Sequence, residues 1–144
     1  MNIEDFPELA VREALANAVI HRDYHLNASV TVEHSPQVFV VTSPGPLVSG
    51  VTTENIVTHP SKPRNPALAS AIRQFGFAEQ VGRGVDRMYR EMIRSGREAP
   101  KIEDLADHVR VTLLGGAPNT QIARFVAQLP EEEHIRVIGS EAKS

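Results

Sequence analysis

The chain contains no cysteine and no tryptophan, and only two tyrosines and five phenylalanines among its 144 residues. Without cysteine there is no disulfide framework and no thiolate metal site, so the composition does not point to a secreted, cross-linked fold. The shortage of aromatics leaves few platforms on which exposed bases could stack. A basic excess is missing too. Fifteen Lys and Arg stand against 18 Asp and Glu, a formal net charge of −3, which argues against direct nucleic-acid binding by this segment. No apolar run approaches bilayer-spanning length, and the first residues lack the basic-then-apolar pattern of a secretory signal. The expectation is a cytoplasmic protein without a membrane role. What is present, 41% hydrophobic and 23% charged residues, is the balance of a globular chain of one-domain size.

The chemistry-bearing stretch is Glu13-Ala14-Leu15-Ala16-Asn17-Ala18-Val19-Ile20-His21-Arg22-Asp23-Tyr24. At a helical period, Val11, Ala14, Leu15, Ala18 and Val19 fall on one apolar face, and Glu13 and Asn17 lie one turn apart on an adjoining stripe. A carboxylate and a carboxamide so placed could share a magnesium ion or an ordered water, because hard cations take oxygen ligands. The competing reading is a solvated helix face.

Along the chain, Asp5 is placed to cap a helix that Pro7 opens and that runs to about Arg22. Residues 28–34 alternate, Ser35-Pro36-Gln37 turns, and Val38 to Thr42 is β-branched, which predicts an antiparallel hairpin. Ser43-Pro44-Gly45-Pro46-Leu47 then reads as a loop. Thr52 to Asn55 suits the start of a short helix, and residues 59–66 are broken by prolines. Asn65 caps and Pro66 opens a helix that Gly76 ends. Gly82-Arg83-Gly84 precedes a helix with Val85, Met88, Tyr89 and Met92 on one side, stopped by Gly96. Residues 97–104 carry no assigned element, while 108–114 read as a strand and 119–129 as a helix, followed by a charged tail. The order predicts an α/β (α+β) two-layer sandwich, a mostly antiparallel sheet with helices on one face.

Gly82 and Gly84 at a helix start form a second candidate site, since glycines admit close backbone approach and free N–H groups attract phosphate. Other patterns fail on their own terms. His21-Arg22-Asp23 looks like a kinase catalytic loop, but Asn27 comes one residue too early and the chain is too short for that fold. His21 and His25 lie four apart, yet no glutamate follows His21 in the manner of a zinc protease. Ser43 is followed by proline, not by a nucleophile-elbow sequence.

Taken together, the Glu-x-x-x-Asn helix, the hairpin ending in a glycine loop, the proline-broken segment and the later glycine pair resemble the GHKL (Bergerat-fold) ATPases. More closely, Glu13 to Tyr24, Ser43-Pro44-Gly45-Pro46-Leu47, Arg64-Asn65-Pro66 and Glu79-x-x-Gly82-x-Gly84 resemble the RecG-related, HATPase-like domain of bacterial and archaeal transcriptional regulators. The resemblance covers about residues 5 to 114. It implies ATP with magnesium as ligand: Asn17 as the magnesium ligand, and Glu13 as the water-orienting base or its support. Ser43 and Gly45 would face the adenine, Gly82 and Gly84 would offer N–H groups to phosphate, and Arg64, Asn65 and Arg83 would be lid or phosphate contacts. Two positions depart from the GHKL pattern. Ser43 stands where an aspartate usually reads the adenine amino group, and Leu47 stands where the loop usually closes on glycine. No P-loop of the Gly-x-x-x-x-Gly-Lys-Ser/Thr type is present, so this segment is not expected to be a helicase motor, and any ATPase activity would be weak.

The resemblance further implies a GHKL-like domain over residues 1–115, with 116–144 a C-terminal helix and linker leading to a missing domain. The expected function is a nucleotide-responsive regulatory module that meets DNA only through domains absent from this chain. The alternative is a degenerate, non-binding scaffold that serves a homodimer or an interdomain contact.

Overall fold

The computed structural model describes residues 5–58, 63–77 and 84–130. Its elements run α1 (Glu8–His21), β1 (Thr31–His34), β2 (Val38–Pro44), α2 (Pro66–Gln74), α3 (Gly84–Arg94), β3 (Lys101–Asp104), β4 (His108–Leu114) and α4 (Thr120–Gln128). The sheet order is β1-β2-β4-β3, and all three pairings are antiparallel. This is the two-layer α+β sandwich that the element order predicts.

Alternation along β2 decides which face is covered. Phe39, Val41 and Ser43 are buried, whereas Val38, Val40 and Thr42 are only partly so. The register sets Phe39 opposite Leu113, Val41 opposite Val111 and Ser43 opposite Val109, so a continuous apolar face is presented to the helices. Phe6, Ala10, Val11, Ala14 and Ala18 from the α1 side and Met88 and Met92 from α3 complete the core. Each large side chain in it contributes about 1.5–3 kcal/mol by leaving water.

The helix α1 is more deeply embedded than a one-faced amphipathic helix. Its far side packs Ala16 and Ile20 against Ala69 and Ile72 of α2, so buried residues ring it, while Val19 of the expected apolar face is 37% exposed. Burial on two sides also overturns the solvated-face reading of the polar stripe: Glu13 is only 4% exposed. Repeated alanines make this feasible, because small side chains let neighbouring helices approach closely.

Several local expectations are corrected. Pro7, not Asp5, occupies the N-cap of α1 and makes no side-chain cap. The strand β2 continues through Ser43 and Pro44, which pair with Val109 and His108 of β4. Residues 52–58 form turns instead of a short helix. Thr52 and Asn55 bond each other reciprocally, Thr52 N to Asn55 Oδ1 at 2.8 Å and Asn55 N to Thr52 Oγ1 at 3.3 Å, and this local solution competes with a helix. Asn65 is the N-cap residue of α2, but its side chain makes no cap bond. The segment 101–104, to which the sequence assigns no element, is strand β3, joined to β4 by a turn in which Leu105 N donates to His108 O at 2.9 Å. Residues 59–62 and 78–83, part of the proline-broken segment and of the glycine motif, lie outside the described residues. Among the described residues no helix is long and apolar enough to cross a membrane.

Candidate functional site

A cleft opens between α1, the first turn of α3, the helix-facing side of the sheet and the loop that follows β2. It encloses about 900 Å³ of empty space, its open mouth included. Asn17 and His21 face it from α1, Ser43 and Gly45 from the end of β2, and Gly84 and Val85 from the start of α3. The remaining walls are aliphatic: Leu47, Val48, Val51 and Ile56 from the loop, Val41, Val109 and Val111 from the sheet.

Asn17 and Gly84, 67 positions apart, meet side by side at one edge of this cleft: a Cβ built on Gly84 would lie 3.1 Å from Asn17 Nδ2 and 2.5 Å from Glu13 Oε2. Asn17 Nδ2 is buried with no hydrogen-bond partner. Buried amide donors are rarely left so, because each costs about 1–3 kcal/mol. Glu13 sits one turn earlier and does not line the cleft; its carboxylate is ion-paired with Arg87 of α3 at 3.7 Å.

Ser43 is 7% exposed, and its hydroxyl donates to Ala18 O at 2.7 Å. Its one hydrogen is therefore spent on α1, and what remains for a ligand is acceptor capacity. Gly45 turns the chain with φ 97°, where a Cβ would lie 2.7 Å from Asp23 Cβ; its N–H donates to Asp107 O at 2.8 Å. Gly45 thus lines the cleft with its N–H already engaged.

Arg64 and Asn65 are placed elsewhere. Neither lines the cleft; both bond the carbonyl groups at the C-terminus of α1. Their bonds make a capping geometry, because those carbonyls are orphaned where the helix stops. Gly82 and Arg83 lie outside the described residues.

The family model described as "Putative ATP-dependent DNA helicase recG C-terminal" matches residues 27–113, more than half of the chain. The chain belongs to this RecG C-terminal-like HATPase family. The matched stretch starts after α1, so Glu13, Asn17 and His21 lie outside it. No curated protein matches the chain. Among solved structures, the chain is similar to the crystal structure of the DIP2311 protein from Corynebacterium diphtheriae, with 36% identity and a TM-score of 0.81. That similarity takes in 95% of this chain but only 30% of the length of the other.

Within this HATPase-like domain, His21 is a cleft residue that the sequence reading weighs only for other motifs and leaves out of the nucleotide site. Burial first, and then the nearby Arg64 charge, hold its imidazole below the usual histidine range. A neutral ring presents one donor and one acceptor nitrogen. The signal was available: Glu13, Asn17 and His21 repeat every four residues on one helix. Beyond the cleft rim, His25 Nδ1 lies 3.1 Å from Asp23 Oδ1, and the His25 backbone N–H is the largest cause of the depressed Asp23 carboxyl. Among the described residues no group of three or more His, Cys, Asp or Glu is placed to hold a metal ion.

Proposed function

We propose that the cleft is a nucleotide site, taking ATP with magnesium, in a regulatory module of a longer protein. The observation that carries the reading is the buried, unpartnered amide of Asn17 facing Gly84. A polar group left unsatisfied in a packed helix–helix junction costs stability, and such costs concentrate where a ligand completes the bonding. Membership of a HATPase family supports ATP as the ligand, and the aliphatic walls suit the flat face of a base.

Magnesium, when bound, offsets phosphate charge. The donor set fits an ion that arrives with its nucleotide: Asn17, whose Oδ1 is a hard oxygen donor, lines the cleft, and among the described residues no acidic cage is prebuilt. Glu13, backed by Arg87, orients the junction beneath Asn17 and Gly84. His21 and Ser43 offer a ring nitrogen and a hydroxyl acceptor to the base edge. Ligand binding would then bias how attached DNA-binding domains sit.

Isothermal titration with ATP-Mg tests this on the wild type and on Asn17→Ala. Binding tighter than millimolar in the wild type and lost in the variant supports it. No such binding in the wild type rejects it and leaves the domain as a scaffold.

A further inference from the structure

The helix α1 ends without a glycine. Its C-cap residue, Arg22, has φ −56° and ψ 136°, so the carbonyl groups of the last turn need donors from outside the helix. Two side chains more than forty residues further along supply them. Asn65 Nδ2 donates to Ile20 O at 2.7 Å and to Arg22 O at 2.9 Å. Arg64 Nε donates to His21 O at 3.1 Å, a terminal nitrogen of the same guanidinium donates to Pro46 O at 2.5 Å, and the Asp23 carboxylate lies 3.9 Å away.

His21 and Pro46 both line the cleft, one from the helix and one from the loop. A single planar guanidinium therefore joins two cleft walls that share no strand or helix. We infer that Arg64 and Asn65 are positioning residues: a helix cap supplied in trans that fixes how the last turn of α1 stands against the loop after β2, and so sets the shape of the cleft for its ligand. The inference rests on the nucleotide reading for its ligand, but not for its geometry. The cap is itself firmly seated. Pro66 follows directly, and Ala69 and Ile72 of α2 pack on Ala16 and Ile20 of the same stretch of α1. Lysine cannot replace Arg64 in this role, because an ammonium is a point charge and lacks the rigid fork that reaches two carbonyls at once. Nor can aspartate replace Asn65, since an ionised carboxylate has no hydrogen to donate.

The test pairs Arg64→Lys, which keeps the charge, with Asn65→Asp, which keeps the shape. Backbone amide resonances are compared without ligand, and ATP-Mg affinity is then titrated. Resonances of the untouched cleft residues Asn17 and Val51 are expected to move in both variants. ATP-Mg affinity should fall on the order of tenfold, the low end of the cost of losing a group that orients a ligand-contacting residue. Shifts confined to the immediate neighbours of residues 64 and 65 overturn the inference, as does unchanged affinity in a variant whose cleft resonances have moved. If the wild type binds no ATP-Mg, the nucleotide reading fails by itself. The resonances at Asn17 and Val51 then decide the cap: movement upholds it and stillness overturns it.

Discussion

Gly84 stands against Glu13 with no room for a side chain: a Cβ there would lie 2.5 Å from Glu13 Oε2. A free surface glutamate would swing aside, but Glu13 is 4% exposed and paired with Arg87 at 3.7 Å. Gly84→Ala gains up to about 1 kcal/mol of helix propensity and loses about 1–3 kcal/mol to overpacking. The clash is expected to win, with a net loss of roughly 1 kcal/mol in urea denaturation. A variant as stable as the wild type would mean that the α1–α3 junction yields freely.

Asn17→Ala should behave in the opposite sense. It removes a buried donor that has no partner and puts the best helix former into α1. Stability without ligand is expected to hold or to rise by about 1 kcal/mol, while any ATP-Mg-induced rise in melting temperature disappears. Thermal melts with and without ATP-Mg read both effects. A substantial loss of stability without ligand would make Asn17 a structural residue.

The hairpin, α2, α3, β4 and α4 were legible because periodic apolar residues and local stops, such as Pro66, Gly76 and Gly96, act within a few residues. β3 was not, since Lys101-Ile102-Glu103-Asp104 acquires its strand character from pairing with β4. The meeting of Asn17 with Gly84 could be anticipated from a family resemblance. The burial of Glu13 could not, because it depends on α3 and Arg87 arriving from more than seventy residues away. Arg64 and Asn65 show the same gap from the other side. Sequence marks them as chemically able, and only the fold shows that the carbonyl groups of α1 already hold them.

The acid limb of stability should carry the signature of His21. Its folded pKa lies below the ordinary histidine value of 6.5, chiefly through burial and then through the Arg64 charge. Between the folded and unfolded values the unfolded chain binds the extra proton, so stability falls as pH drops from 6.5 toward the folded value and is fully present above 6.5. The depressed carboxyls of Asp23 and Asp107 act in a separate window, as pH falls through and below their ordinary value of 3.8. Melting temperatures from pH 7.5 to 4.5, a range set by the usual histidine titration near about 6.5, should fall less steeply in His21→Gln than in the wild type. Parallel curves would remove His21 as the source.

Ser43 offers the sharpest contrast between what the family pattern suggests and what the site permits. The family pattern places an aspartate there, but the hydroxyl's hydrogen is committed to Ala18 O at 2.7 Å in a position only 7% exposed. Ser43→Ala loses one bond, at about 1 kcal/mol. Ser43→Asp turns a carboxylate toward a carbonyl oxygen without a hydrogen between them, and is expected to cost about 2–4 kcal/mol at pH 8. Protonation would return a hydrogen to that contact, so the carboxyl's folded pKa should be raised. A raised folded pKa favours the native state at low pH, and the deficit should therefore shrink from pH 8 to pH 5 in urea denaturation while that of Ser43→Ala stays level. If Ser43→Asp matches Ser43→Ala at pH 8, the donor role of the hydroxyl is dispensable, and a carboxylate could be accommodated at the base end of the cleft.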